Sequence, residues 1–161
     1  MSSNQSPYML ETSANYLRAA KILWRQKNLE KVAMVNAAIA IEIILKSFTA
    51  TPVDNKRKGT IAEQYEINGK QSHSLVELAK CIDKDVYREL GFQRHEYWFQ
   101  EFDCLFMHSR YPYEPSSRAG STEIPITAGI EIFRSTIDWY KRTGNRNPWI
   151  MSYPDVPGGC L

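Results

Sequence analysis

The chain has 161 residues, of which 43% are hydrophobic and 24% are charged, a composition that fits one globular domain with a buried core. Its 20 Lys and Arg residues against 18 Asp and Glu residues give a net charge of +2, too mild to indicate a dedicated nucleic-acid binder. The cysteines Cys81, Cys104 and Cys160 form neither a disulfide framework nor a zinc motif, so we expect reduced thiols, no metal and no cofactor. Without a signal segment or an apolar run of ~20 residues, the chain is expected to be a soluble cytoplasmic protein with no membrane partner.

The first predicted helix begins at Thr12 or Ser13, whose hydroxyl can accept a hydrogen bond from an orphan backbone N–H. Apolar residues recur three and four apart from there to Trp24, while basic residues take the opposite face. This pattern is typical of a helix docked on a core. We therefore expect the folded core to span residues 12–143.

The second predicted helix runs over residues 29–50 and contains the apolar segment AAIAIEIIL at residues 37–45, where Glu42 is the only polar residue. A helix that is apolar all round is buried, so we interpret it as the central helix. A buried carboxylate needs a cationic or donor partner. Arg110 is our predicted partner, through a bidentate bridge between helices; the alternative is that Glu42 reaches solvent beside Lys46, one helical turn away.

Residues 51–72 show no helical or strand period and carry the basic cluster Lys56, Arg57 and Lys58. We predict a long loop, a length that is often functional or disordered. The cluster is either part of a solvated surface or a contact for a phosphate group.

Two short helices are predicted next. Ser74 and Glu77 have the spacing of a capping box, in which both side chains satisfy exposed backbone donors, and the helix continues to about Ile82. The following piece, residues 83–90, ends at Gly91, which can take the left-handed conformation that closes a helix.

A further helix is predicted over residues 93–110, since Pro112 disfavours helical geometry at the residue before it. A loop over residues 112–123 leads to a closing amphipathic helix over residues 124–143. We expect residues 144–161 to form a tail that is either mobile or pinned only by Trp149 and Tyr153. The whole chain is thus predicted to be one all-α domain, an up-and-down helical bundle of about five helices.

The candidate chemistry is concentrated where the aromatic-rich helix ends. His108 and Arg110 lie at that end, where the helix dipole alone favours cations, and Tyr111 and Tyr113 in the loop can stack on a base. His73 precedes the Ser74 cap. Neither a phosphate-binding glycine loop nor an H-E-x-x-H metal motif is present, which argues against those nucleotide and zinc sites.

Three short segments, in order, resemble the HEPN domain family. They are AAIAIEIILK ending at Lys46, HSLVEL starting at His73, and Arg110-Tyr-Pro before the last amphipathic helix. The resemblance implies an all-α bundle that pairs into a homodimer. The Arg-Tyr-Pro ending resembles the subgroup that accompanies nucleotidyltransferases, which implies a partner protein of that class and a place in a toxin–antitoxin or defence system.

Many HEPN proteins are metal-independent endoribonucleases whose Arg and His meet across the dimer, with four to six residues between them. The permitted positions before His108 hold no arginine. Arg88 and His95 have six residues between them, so they are the catalytic candidates if the chain is a nuclease.

Our first interpretation is instead a non-catalytic module that dimerises and binds RNA or a nucleotide. On this interpretation Glu42 and Arg110 form the structural pair, and the predicted contacts for a phosphate or base are His73, Arg110, Tyr111, Lys56, Arg57 and Lys58. The endoribonuclease is the alternative function. A structural dimer that binds another protein is a third.

Overall fold

Helices make up most of the described structure. The computed structural model describes residues 4–53, 64–67, 72–109, 111–115, 117 and 119–161. Its elements in chain order are α1 (Pro7–Trp24), α2 (Glu30–Ser47), β1 (Ala50–Val53), β2 (Gln64–Ile67), α3 (Leu75–Lys80), α4 (Lys84–Glu89), a 3-10 helix (Phe92–His95), α5 (Glu96–Glu101), α6 (Leu105–Ser109), α7 (Ile124–Arg142) and α8 (Pro148–Ser152). The mostly α-helical fold class predicted from the sequence is confirmed. Within the described ranges, no helix has the length and apolarity needed to cross a membrane.

The helix α2 lies at the centre of the fold, as its all-round apolar sequence predicted. It packs against α1, α3, α6 and α7, and most of its alanines and isoleucines are buried. The approach of α7 is close at Gly129, where an added Cβ would lie 2.8 Å from Leu17 Cδ2. Small side chains therefore let three long helices share one core.

The first helix starts earlier than predicted. It begins at Pro7 after Ser6, whereas the hydroxyls of Thr12 and Ser13 donate to the carbonyls of Tyr8 and Leu10 within the helix. Contacts from distant parts of the chain fix the start, because the Ser6 backbone N–H donates to the Tyr140 hydroxyl at 2.8 Å and Ser6 Oγ donates to the Ser47 carbonyl. The sequence pattern carried no sign of these long-range anchors.

The predicted loop over residues 51–72 contains strand structure. The strands β1 and β2 pair antiparallel, with Ala50 opposite Ile67 and Val53 opposite Gln64. The expectation that no regular structure occurs here was wrong, because strands of four residues are too short to show a period. Lys56, Arg57 and Lys58 lie outside the described residues.

The helix predicted over residues 93–110 is divided into shorter pieces. A 3-10 turn leads into α5, and α6 starts only after a break at residues 102–104, where Cys104 has a φ of +56°. Gly91 adopts the predicted left-handed conformation, with a φ of +70°. The aromatic periodicity correctly predicted a buried face, but it did not predict the break in the helix at residues 102–104.

The last segment packs onto the bundle and is not a mobile tail. The expected anchors Trp149 and Tyr153 both contact Phe133 of α7, but they are not the only ones. Asn147 caps α8 by accepting from two backbone N–H groups, and Ile150, Tyr153 and Leu161 are buried. Arg134 of α7 donates to the Leu161 carbonyl at 2.9 Å. Short aromatic contacts, such as the one between Phe133 and Tyr153, hold this segment without helical periodicity.

Candidate functional site

The carboxylate of Glu42 is held by two partners at the edge of the buried face of α2. Its side chain is 12% exposed, and it accepts a hydrogen bond from Lys46 Nζ at 2.6 Å. His73 Nδ1 lies 3.1 Å from each carboxylate oxygen. Lys46, the neighbour named in the alternative to the Arg110 bridge, contacts Glu42. His73 is a second partner of the carboxylate, and no sequence pattern linked the two residues.

The imidazole of His73 is oriented from two sides and remains accessible. Its ring lies 5.5 Å from that of Phe106 in α6, and 51% of its side chain is exposed. With Nδ1 donating to Glu42, the other nitrogen, Nε2, is an acceptor in the neutral ring and a donor in the charged ring. Among the described residues, no polar group of the protein bonds Nε2, so it is available to a ligand.

The N-terminus of α3 positions His73. Ser74 Oγ accepts from the Glu77 backbone N–H at 3.2 Å, which confirms the Ser74 half of the predicted capping box. The Ser74 backbone N–H, the expected partner of Glu77, donates to Ser72 Oγ at 3.0 Å. The same hydroxyl donates to Asp103 Oδ2 at 3.0 Å, while the Glu77 carboxylate accepts from Lys80. Asp103 thus ties α3 to the break between α5 and α6, and His73 sits one residue before this anchor.

The thiol of Cys104, which lies near the cluster formed by Glu42 and His73, is not an activated nucleophile. Burial raises the pKa of Cys104, and the carboxylates of Asp103 and Glu42 raise it further. A thiol becomes a strong nucleophile when cations lower its pKa. Cys104 therefore stays protonated at neutral pH and has a structural place in the turn.

The structure describes His108, Tyr111 and Tyr113 near the end of α6, but not Arg110. His108 is exposed in α6, and the exposed rings of Tyr111 and Tyr113 lie 5.8 Å apart. Arg110 falls outside the described residues, so its predicted bridge to Glu42 stays a prediction. The tyrosines are in a loop, as expected from Pro112.

The two candidates for nuclease chemistry lie in different environments. Arg88 is 70% exposed on α4, where Nη1 donates to Asp85 Oδ1 at 3.2 Å. The side chain of His95 is only 4% exposed, with Nε2 3.7 Å from Glu131 Oε2, and Arg94 Nε donates to that nitrogen at 3.3 Å. For His95 to reach a substrate, its side chain must leave this buried position.

Burial lowers the pKa of His95, and the neighbouring Arg94 lowers it further, against an opposing effect of Glu131. The ring is therefore held neutral, with Nε2 as an acceptor. In the part of the chain that the structure describes, no group of three or more His, Cys, Asp or Glu side chains is arranged to hold a metal.

Phe106 contacts the His73 ring, and Asp103 anchors the neighbouring Ser74; neither role was expected from the sequence. Both lie in the aromatic-rich stretch, but they are some thirty residues beyond His73 in the chain. A local spacing pattern does not connect residues so far apart.

Comparisons of this chain with protein-family models, curated proteins and solved structures found no match.

Proposed function

We propose that this chain is a HEPN-like helical module that dimerises and binds RNA or a nucleotide without cleaving it, at the edge formed by Glu42, His73 and Phe106. The observation that supports the proposal best is the half-exposed His73 ring, held by the Glu42 carboxylate at 3.1 Å. A carboxylate that fixes one ring nitrogen of histidine presents the other to a ligand in a defined orientation.

The chemistry of this edge suits a phosphate beside a base. The protonated form of His73 donates from Nε2, which suits a phosphate oxygen. In the loop that follows α6, the exposed rings of Tyr111 and Tyr113 offer flat surfaces of the kind on which unpaired bases stack. Glu42 is not itself a ligand on this proposal, because Lys46 and His73 already occupy its carboxylate.

The resemblance to HEPN proteins of the Arg-Tyr-Pro subgroup supports the homodimer and a nucleotidyltransferase partner within a toxin–antitoxin or defence system. It also supports Arg110 and the cluster Lys56, Arg57 and Lys58 as further phosphate contacts. A basic cluster in the same chain as an oriented histidine suits a strand of RNA, since phosphate contacts supply most of the affinity in such complexes.

The binding test uses fluorescence anisotropy with a labelled single-stranded RNA at several salt concentrations. We expect His73→Ala to weaken binding by about five- to tenfold, the loss of one charge-assisted hydrogen bond. His108→Ala is the matched control, because it removes another exposed histidine of the same region and should leave the affinity unchanged. Equal losses in both variants would contradict the assignment of His73.

The contribution of the basic cluster Lys56, Arg57 and Lys58 is tested separately, through the salt dependence of RNA binding. If Lys56 and Arg57 each neutralise a phosphate, the double variant Lys56→Ala, Arg57→Ala should reduce the slope of log K against log salt by about 0.7 for each lost contact. An unchanged slope would remove the loop from the interface. If neither RNA nor a nucleotide binds, the protein-interaction dimer replaces this proposal.

Catalysis is tested with the same RNA in the presence of a chelator. We expect the RNA to remain intact, because the non-catalytic interpretation assigns no cleavage chemistry to the chain. Metal-independent cleavage that is lost in Arg88→Ala or His95→Ala would establish the endoribonuclease alternative instead.

A further inference from the structure

A cleft with a volume of about 550 Å³ lies between α3, α4 and α5, a volume typical of sites for small organic ligands. Its floor is apolar. The buried residues Ala79, Ile82 and Phe99 contribute to it, together with parts of Val76 and Tyr87. The residues that line it are different from the Glu42 and His73 cluster.

The polar residues that line this cleft differ in charge from one helix to the next. Three exposed cations, Lys80, Lys84 and Arg88, line the side formed by α3 and α4. The part of the lining that comes from the 3-10 helix and α5 carries the carboxylate of Glu96 and two side-chain amides. A ligand in the cleft therefore meets positive charge from α3 and α4 and hydrogen-bonding groups from the 3-10 helix and α5.

The cations are available to an anion. Lys84 and Arg88 lie four residues apart on α4, a spacing at which like charges repel. Lys80 pairs with Glu77 and Arg88 with Asp85, but both are exposed local pairs, which contribute little and exchange readily. No polar partner of Lys84 occurs among the described residues. An anion placed between these side chains would relieve their repulsion.

The acceptor side is set by Tyr87 and Glu96. Burial raises the pKa of Tyr87 to about 12, and the charge of the Glu96 carboxylate and a hydrogen bond with that carboxylate raise it further. Tyr87 therefore keeps its proton and donates to the Phe92 carbonyl. Tyr87 engages part of the Glu96 carboxylate, and the remaining lone pairs of its two oxygens can accept from a ligand group with an N–H or O–H donor. A second negative charge beside this carboxylate is disfavoured.

We propose that this cleft binds a small aromatic carboxylate whose ring carries a hydrogen-bond donor. The carboxylate pairs with Lys84 and Arg88, the ring packs on Ile82 and Phe99, and the donor bonds Glu96. An aromatic body fits because Tyr87 and Phe99 supply ring surfaces for edge or offset contacts. This inference does not depend on the RNA-binding function.

The test is calorimetric titration of the full chain with indoleacetate, for which a dissociation constant of about 0.1 mM is expected for a ligand of this size. Indoleacetamide, which lacks the charge, should bind about tenfold more weakly. Naphthylacetate, which keeps the charge but lacks the ring N–H, should bind about fivefold more weakly.

Single substitutions test which side chains of the cleft contact the ligand. Lys84→Glu should weaken indoleacetate binding by at least about tenfold, whereas Lys27→Glu, the same charge change at an exposed residue outside the cleft, should have little effect. Glu96→Gln should reduce the preference for indoleacetate over naphthylacetate. Circular dichroism establishes that each variant is folded.

Absence of indoleacetate binding at millimolar concentration would overturn the proposal. So would equal binding of the acid and the amide, or equal losses in Lys84→Glu and Lys27→Glu, because each result removes the role of the cationic rim. An unchanged RNA affinity in Lys84→Glu is expected and separates this site from the His73 edge.

Discussion

Individual polar residues in this protein are defined by the partners that the fold gives them. Glu42 was recognisable from the sequence as a carboxylate in an apolar helix, and its need for a partner followed from the cost of burying a charge. The identity of one partner, His73, did not follow. His95 is the opposite case, since its place next to Arg94 in the sequence gave no indication that burial would hold its ring neutral.

At the residue scale, we predict that His95 makes stability dependent on pH. Its pKa is below the usual 6.5 in the folded protein, so the unfolded chain takes up the proton first as the pH falls. The stability it contributes is present above pH 6.5 and is lost as the pH falls through the folded pKa, with a slope of at most about 1.4 kcal/mol per pH unit. Urea unfolding of wild type and His95→Gln between pH 7.5 and 4.5 measures this, with pH values chosen to bracket the usual histidine range.

The Gln side chain keeps a neutral polar group without the titration, so the variant should lose less stability on acidification than the wild type. Glu131 and Arg94 face the ring and are unchanged in both proteins. Parallel pH profiles would rule out His95 as the titrating group.

At the scale of elements, the short helix α3 is held in place by hydrogen bonds of its capping side chain and not by a long apolar face. The helix α3 has only six residues, too few to be stable alone. The Ser74 hydroxyl both accepts from the Glu77 N–H and donates to Asp103. The capping spacing was readable from the sequence, whereas the link to Asp103 needed the tertiary arrangement.

Removal of this hydroxyl tests the link. We expect Ser74→Ala to lower the free energy of unfolding by about 1–2 kcal/mol, because a cap and a hydrogen bond to a charged acceptor are lost together. Thr12→Ala is the control, since its hydroxyl donates to a carbonyl within α1. The prediction fails if chemical denaturation gives the same small loss for both variants.

At the scale of the whole molecule, Tyr140 joins three distant parts of the chain. Its hydroxyl accepts from the Ser6 N–H at 2.8 Å and donates to Ser47 Oγ, so the start of α1, the end of α2 and the last turn of α7 meet at one buried group. Burial raises the pKa of Tyr140 to about 12. A neutral hydroxyl is therefore part of the core.

Tyr140→Phe should lower the free energy of unfolding by about 1–3 kcal/mol, because the Ser6 N–H loses its acceptor in a buried position. The folded pKa is raised above the usual 10, so the contribution of this group is present below pH 10 and lost as the pH rises toward 12. The variant should show less of this alkaline loss. Thermal unfolding near neutral and alkaline pH provides the measurement, and the exposed Tyr97→Phe serves as the control.

The sequence by itself determined the helical class, the buried course of α2, the closing helix near residues 124–142, the Ser74 cap and the left-handed Gly91. These features are local, because contacts three or four residues apart and the conformational freedom of glycine act within one turn. The tertiary structure alone decided that His73 meets Glu42 across 31 residues, that Asp103 anchors Ser74, that two short strands pair, and that residues 144–161 pack on α7. Such contacts depend on how separate elements pack, and no short-range pattern in the chain encodes the distance between them.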